Sequence, residues 1–398
     1  MTLRNRYDAL LDRFNKMHLF EIGYVLYYCT LFFDDLPLGS NLLFKLMRYS
    51  AYMCFAFYYL TTYPTIKQLI CAGVLFAINF AIGLGMRDFY WAILLAMLFS
   101  FRSVNAERIL KTSFYLLLAL TMATLGLAIV GVLPNLNTMR GGDESARYSM
   151  GFYHSNVFPL VVFHLLSLRI LILCPKQRMP LMEIVSWVIL TIVTYFACGS
   201  RNALIGTGLC IAAYFVVEYV YQRKYVWKSL LFVSKWIVCF CVVASVILML
   251  LQGTNIAFVH KINGLFSGRF GLAYTQMKET GLALINTMPR SMFGVLDNGY
   301  LFVVLRYGVV YVVFYILMQY YLSAKYRGNL PALVVFSTAA IMNMVDNDLL
   351  SYGFLPLMVL AVSRDKLRWH YLVNRRQRTA GNRLPRDTNC RGIGPEES

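Results

Sequence analysis

Acidic side chains are scarce in this sequence. Asp and Glu together number 19 in 398 residues, against 37 Lys and Arg. Charged residues of both signs make up 14% of the chain, where soluble domains carry roughly 25%. The hydrophobic share is 59%, and mean hydropathy is +0.58. So little charge cannot cover a globular surface. That excludes a soluble enzyme and indicates a polytopic membrane protein.

Further absences narrow the chemistry. The nine cysteines are scattered, mostly inside apolar runs, with no Cys-x-x-Cys pair and no Cys/His cluster at metal spacing. They read as small core residues, and no metal is expected. There is no Gly-rich phosphate loop, no external Asp-x-Asp followed by a hydrophilic globular domain, and no internal repeat. No cofactor is implied. A cleavable signal peptide is not visible either. The start, MTLRNRYDALLDRFNKMH, is polar and basic, so the first apolar helix is expected to serve as an uncleaved signal. The net charge of +18 would suit nucleic acid, but the positive residues fall as loop charges between apolar runs, which excludes that partner.

What the chain does have is apolar segments of membrane length. Twelve are read, at Leu19–Phe33, Leu42–Leu60, Ile66–Leu84, Phe89–Phe101, Ser113–Leu133, His154–Leu173, Leu181–Ala197, Asn202–Tyr221, Ser229–Leu251, Asn298–Leu322, Leu330–Val345 and Leu349–Val362. Basic residues fill alternate loops: Arg4 to Lys16, Lys67, Arg102 to Lys111, Lys176 and Arg178, Arg223 to Lys228, Lys325 and Arg327, and everything from Arg364. The positive-inside rule then places both termini in the cytoplasm. The expected architecture is an all-α membrane bundle over residues 1–363. Residues 364–398 form a basic, disordered cytoplasmic tail able to rest on anionic headgroups.

Two outer loops are long, at about 134–153 and 252–297. Loops of this length carry function or structure of their own. The second contains FVHKINGLFSGRFGLAYTQMKETGLALI, whose apolar spacing permits amphipathic helices on the membrane surface.

Positive-inside leaves few arginines for the outer face. Those it leaves are Arg140, Arg147, Arg201, Arg269, Arg290 and Arg306. Arg201 sits in CGSRNA with almost no loop around it, a costly position unless paired or bathed in a polar cavity. Guanidinium forks hold phosphate and pyrophosphate bidentately, so several converging from distant loops would make a pyrophosphate clamp. The alternative is snorkelling to the headgroups. His154 stands in RYSMGFYHSNVFP beside Ser155 and Asn156, where a neutral imidazole can orient or deprotonate a sugar hydroxyl, or simply pack. His260 is a weaker candidate. Asp297 and Asn298 open a helix, so capping competes with substrate contact. Tyr300 can be an interfacial aromatic. Asp346 and Asp348 sit in a turn, as bases, as arginine partners or as turn formers.

The order of these residues resembles the bacterial Wzy-type polysaccharide polymerases of the O-antigen polymerase/ligase superfamily. The resemblance rests on Arg147 before Gly151, His154 and Asn156; on Ser200-Arg201 between two spans; on Gly268-Arg269 in the large outer loop; and on Phe293-Gly294, Asp297-Asn298-x-Tyr300 and Gly308. It covers the chain to about residue 363. The outer loop is less elaborate than in some members, which leaves polymerase and ligase undivided.

What the resemblance implies is a GT-C-like glycosyltransferase in the cytoplasmic membrane of a bacterium, with its active site facing outside. Its donor would be a polyprenyl-pyrophosphate-linked oligosaccharide, polymerised into exopolysaccharide or capsule without metal or cofactor. Arg147, Arg201 and Arg269 would bind the leaving pyrophosphate, with His154 assisting the acceptor hydroxyl. Arg140, Asn156, Ser200, Arg290, Asp297, Asn298, Tyr300 and Asp346 would line the substrate. Membrane lipid and the flippase and chain-length regulator of the same pathway would be partners. The rival functions are a glycan ligase and a transporter of lipid-linked oligosaccharide.

Overall fold

A computed structural model of the protein describes residues 3–38, 42–62, 64–135, 137–140, 143–220, 224–254, 256–294, 296–347, 351–364 and 367. Helices dominate it. In chain order they are α1 (Leu3–Phe33), α2 (Leu42–Thr61), α3 (Ile66–Met86), α4 (Tyr90–Ser100), α5 (Ala106–Ile129), α6 (Val157–Leu173), α7 (Leu181–Cys198), α8 (Arg201–Phe215), α9 (Lys224–Leu251), α10 (Ala257–Leu265), α11 (Arg269–Thr280), α12 (Gly299–Arg306), α13 (Val309–Lys325), α14 (Leu330–Val345) and α15 (Leu355–Val362). Every one of the twelve apolar segments contains a helix. Among the described residues four helical stretches are long and apolar enough to cross a membrane: α3, α5, α7 and residues 228–251 of α9.

Local chemistry sets several boundaries. Thr65 and Gln68 form a reciprocal capping box that starts α3. Asn105 caps α5 through Arg108 N–H, and Asn329 caps α14 through Ala332 N–H. Burial then divides the helices into two kinds. α6, α14 and α15 are buried almost all round and form the centre. α3, α7 and much of α9 turn Leu, Ile, Val and Phe outward, which suits a lipid solvent rather than water.

The connections collect at two ends of the bundle. At one end Lys176 pairs with Glu107 at 3.1 Å, and the Arg364 N–H donates to the Arg102 carbonyl. At the other, the Tyr153 N–H donates to the Asp35 carbonyl, Arg306 pairs with Asp88, and Arg269 pairs with Asp297 and Asp346.

Three findings correct the sequence reading. First, the bundle is helical as expected, but one long loop carries strands that were not expected. The loop at 134–153 contains an antiparallel hairpin of β1 (Asn137–Arg140) and β2 (Asp143–Tyr148), with Thr138 opposite Arg147. Secondly, α6 starts at Val157, so His154 lies in a turn before the helix and not inside it.

Thirdly, the segment expected at Asn298–Leu322 is two helices. α12 ends at Arg306 and α13 begins at Val309, with Gly308 between them at φ +106°. The break is filled by the loop at 252–297. The N–H groups of Val309 and Val310 donate to the carbonyls of Ala283 and Leu284, and Asn286 donates to the Tyr307 carbonyl from its N–H and to the Leu305 carbonyl from its side chain. Backbone freed by a broken helix in an apolar setting must find such partners.

The loop at 252–297 carries α10 and α11, and α11 packs against α9 and α12. Of the expected tail at 364–398, only Arg364 and Leu367 lie within the described residues.

Candidate functional site

Arg147 stands near the end of β2 and reaches across to α7. Its Nε donates to the Cys198 carbonyl at 3.1 Å and its Nη2 to the Gly199 carbonyl at 2.6 Å. The last carbonyls of a helix lack intrahelical donors, and this guanidinium supplies them from outside. Gly199 sits at φ +62°, and a Cβ there would lie 2.7 Å from Arg147 Nε. Glycine is therefore required twice, for the turn and for the close approach. The same Nη2 reaches Asn156 Oδ1 at 3.5 Å. Gly199 leads to Ser200, a residue only 2% exposed, whose buried hydroxyl has no hydrogen-bond partner among the described residues. Arg201 then opens α8, exposed, with no ion pair or hydrogen bond from its side chain among the described residues.

His154 occupies the turn between β2 and α6. Its Nδ1 accepts the Asn156 N–H at 3.1 Å. In the neutral ring this contact assigns the proton to Nε2, which makes His154 a hydrogen-bond donor toward its surroundings. Desolvation lowers its pKa; the nearby Asp297 carboxylate opposes that shift, while Arg147 and Arg269 reinforce it. These couplings bring the hairpin, α11 and the start of α12 to one place.

Arg269 is the first residue of α11, preceded by Gly268 at φ +80°. Asn263 Oδ1 accepts the N–H groups of Phe270 and Gly271, which fixes the start of that helix. The Arg269 side chain is 4% exposed and lies between two carboxylates, Asp297 at 3.4 Å and Asp346 at 3.6 Å. Asp297 is half-exposed, whereas Asp346 is nearly buried at the end of α14.

Other expected site residues are committed to packing. Asn298 caps α12 through Leu301 N–H and donates to Ser245 Oγ and the Met344 carbonyl. Tyr300 is fully buried and donates to the Ala340 carbonyl, which removes it from any interfacial belt. His260 lies exposed on α10, away from the contacts just described. Arg140 pairs with Asp143 in the hairpin register, and Arg290 begins a short 3-10 turn to Met292; their side chains, and all of Asp348, lie outside the described residues. Among the described residues no group of three or more His, Cys, Asp or Glu is placed to hold a metal ion.

Arg306, singled out from the sequence, belongs to a second polar group that sequence reasoning did not assemble. Arg306, on α12, pairs with Asp88, whose carboxylate also accepts the Tyr307 hydroxyl at 2.9 Å. Arg48 pairs with Asp34 at 2.6 Å. Both pairs line a cavity of about 490 Å³. The available signal was the lone Asp88 in the short MRDFYW loop, a carboxylate that needed a partner at membrane depth.

No protein-family model, no curated protein and no solved structure matches the chain. The site is therefore argued from its own geometry.

That geometry makes a pH prediction. Protonated His154 would turn Nδ1 into a donor facing the Asn156 N–H. Its folded-state pKa lies below the ordinary 6.5, so its contribution to stability is complete above pH 6.5 and is lost as pH falls through the lowered value. His154→Asn keeps an acceptor at that place without titrating. The melting temperature of the wild type is expected to fall relative to His154→Asn on acidification below pH 6.5, in detergent-purified protein. Parallel curves would exclude this role for Nδ1.

Proposed function

We propose that the chain is a membrane-embedded glycosyltransferase of GT-C-like architecture. It spans the bacterial cytoplasmic membrane about twelve times with both termini inside, and it polymerises polyprenyl-pyrophosphate-linked oligosaccharide repeats on the outer face. The observation that carries this reading is convergence. Arg147 from the hairpin and Arg269 from α11 both act on His154, and Arg147 is seated on Gly199, two residues before Arg201. Cations from three separate connections suit a diphosphate lying at headgroup depth with its lipid tail in the bilayer.

The roles differ by residue. Arg201 is exposed and uncommitted, and it sits at the N-terminus of α8 beside the unpartnered Ser200 hydroxyl. It makes the first contact with the anion, helped by the helix dipole. Arg269 shifts part of its hydrogen bonding from Asp297 to the pyrophosphate as charge develops. Arg147 positions the α7–α8 turn that presents Ser200 and Arg201. His154 donates from Nε2, orienting the acceptor hydroxyl or a phosphoryl oxygen. The acceptor oxygen attacks the anomeric carbon, the bond to the pyrophosphate oxygen breaks, and the anomeric centre inverts. Stabilising the charge on that leaving oxygen is the main catalytic contribution.

The test uses purified protein and one lipid-linked repeat as both donor and acceptor, with products resolved on a gel. A ladder is expected. Arg201→Ala should reduce its rate by about 10²-fold or more at normal protein level. A ligase would give no ladder from a single repeat and would need a different acceptor lipid. An unchanged Arg201→Ala rate would remove the clamp.

A further inference from the structure

The cavity of about 490 Å³ lies outside the arginine–histidine group and differs from it in charge. Three carboxylates line it, Asp34, Asp35 and Asp88, against three cations, Lys45, Arg48 and Arg306. The formal sum is zero. Four of these six are already joined, as Arg48 with Asp34 and Arg306 with Asp88. Beyond Lys45, a polyanion entering here could gain a cation only by breaking a pair, and a partly buried charge left alone is costly. A lipid tail would strip water from six charged groups. An uncharged ligand rich in hydroxyls meets neither obstacle. It can use the remaining lone pairs and N–H groups of the paired side chains without separating them.

The walls add a second requirement. Tyr49, Tyr52 and Tyr90 present aromatic surface to the cavity, backed by the buried rings of Tyr27, Phe302 and Tyr307. Such rings offer flat apolar faces, and the tyrosines add polar tips. A pyranose has the matching anatomy, with C–H groups on its faces and hydroxyls around its edge. The volume falls inside the range of small-ligand sites and holds about two to three sugar rings.

The cavity is also joined to the arginine–histidine group at two points. Asn347 lines it and follows Asp346, the partner of Arg269. Asp35 lines it and holds Tyr153 N–H at 2.8 Å, next to His154. The cavity therefore lies one residue along the chain from Asp346 on one side and one hydrogen bond from Tyr153, beside His154, on the other.

We propose that this cavity is a seat for the uncharged saccharide portion of the acceptor, separate from the anion site of the donor. The occupant's identity as an acceptor rests on the glycosyl transfer proposed above. Its chemical class, a neutral polyhydroxylated chain, rests on the cavity alone.

The experiment places a photoreactive phenylalanine analogue at Tyr49 of the full-length protein, in membranes that hold the lipid-linked repeat. Tyr49 is 62% exposed, so the change leaves the core intact. Leu317, an outward-facing position on α13, serves as the comparison. After irradiation the protein is stained for sugar. A sugar-bearing adduct at residue 49 and none at 317 is expected. An adduct at 49 without sugar, or no adduct, overturns the proposal.

A second arm measures polymerisation kinetics of Tyr49→Ala and Asn347→Ala, both at exposed positions. The repeat concentration giving half-maximal rate should rise about tenfold, with the maximal rate changed less than about threefold. Unchanged kinetics in both variants would count against the seat. Failure of the two ideas is separable. If Arg201→Ala abolishes the ladder while residue 49 gives no sugar adduct, the seat falls and the transferase stands. If the adduct forms while Arg201→Ala is fully active, the seat stands and the arginine clamp falls.

Discussion

Under the proposed transfer, Arg269→Ala is expected to abolish polymer, and it should lower stability by about 3 kcal/mol. The side chain is buried, with Asp297 at 3.4 Å and Asp346 at 3.6 Å. Removing it leaves two carboxylates facing each other, and Asp346 has little water to turn to. The cost is that of uncompensated charge, not of a lost contact. Two outcomes separate structure from chemistry. Arg269→Ala combined with Asp346→Asn should recover most of the thermal stability, because the stranded charge is gone. It should recover no polymer, because the cation is still missing. Arg269→Lys should retain stability better than activity, since a point charge balances two carboxylates but lacks the fork. Thermal unfolding in detergent and the gel ladder read the two properties separately. Recovery of polymer in the double variant would place Arg269 outside the chemistry.

Gly308→Ala is expected to be strongly damaging for a change of one methyl group. At φ +106° and ψ 171° the residue occupies a region that only glycine enters readily. A Cβ there would also lie 2.5 Å from the Leu284 carbonyl oxygen and 2.8 Å from the Ile285 Cα, both backbone atoms. Neither can swing away as a side-chain tip would. The segment at 283–286 must leave the helix break, and the Val309, Val310 and Tyr307 backbone groups lose their partners together. A loss of about 3 kcal/mol or more follows, read as a collapse in the monodisperse fraction after solubilisation. Gly73→Ala and Gly126→Ala are the comparison. Both lie inside helices with open space around the added carbon, so they should be neutral or slightly stabilising. Equal yields for all three variants would mean that the break at 307–308 is not held as described.

The helices were legible because hydrophobic runs and loop charges are local signals. α3, α7 and α14 follow their apolar segments within a few residues. The broken helix was less so. Phe302 to Phe314 reads as apolar throughout except for Arg306, and nothing local says that residues 283–286 come back to occupy a gap. Gly308 was noticed as part of a motif, but its meaning depends on a partner more than 20 residues away in the chain. The hairpin was missed for a similar reason. NTMRGGDESARY is polar and Gly-bearing, which identifies a loop but not the register of Thr138 on Arg147.

The site divides the same way. Arg147, His154, Arg269, Asp297 and Asp346 were picked out by residue type and position, and they come together. Their individual roles were not readable. That Arg147 caps α7, that Arg269 sits between two carboxylates, and that Asn298 and Tyr300 are consumed by packing are all consequences of long-range contacts. Asp88 and Arg306 are 218 residues apart, and only the fold makes them a pair.

The ring orientation of His154 has a consequence for where a proton ends up. Glycosyl transfer frees one from the acceptor hydroxyl. Nδ1 is already accepting from Asn156, and Nε2 already carries a hydrogen, so the imidazole can take another only by giving up the Asn156 contact. Asp297 and Asp346 both face the Arg269 guanidinium, at 3.4 Å and 3.6 Å. In the proposed transfer the proton passes to the departing pyrophosphate or to water. Under the proposed transfer the leaving group would carry away both the negative charge and the proton. The enzyme would then return to its starting protonation state as soon as the product leaves, with no separate resetting step between one added repeat and the next.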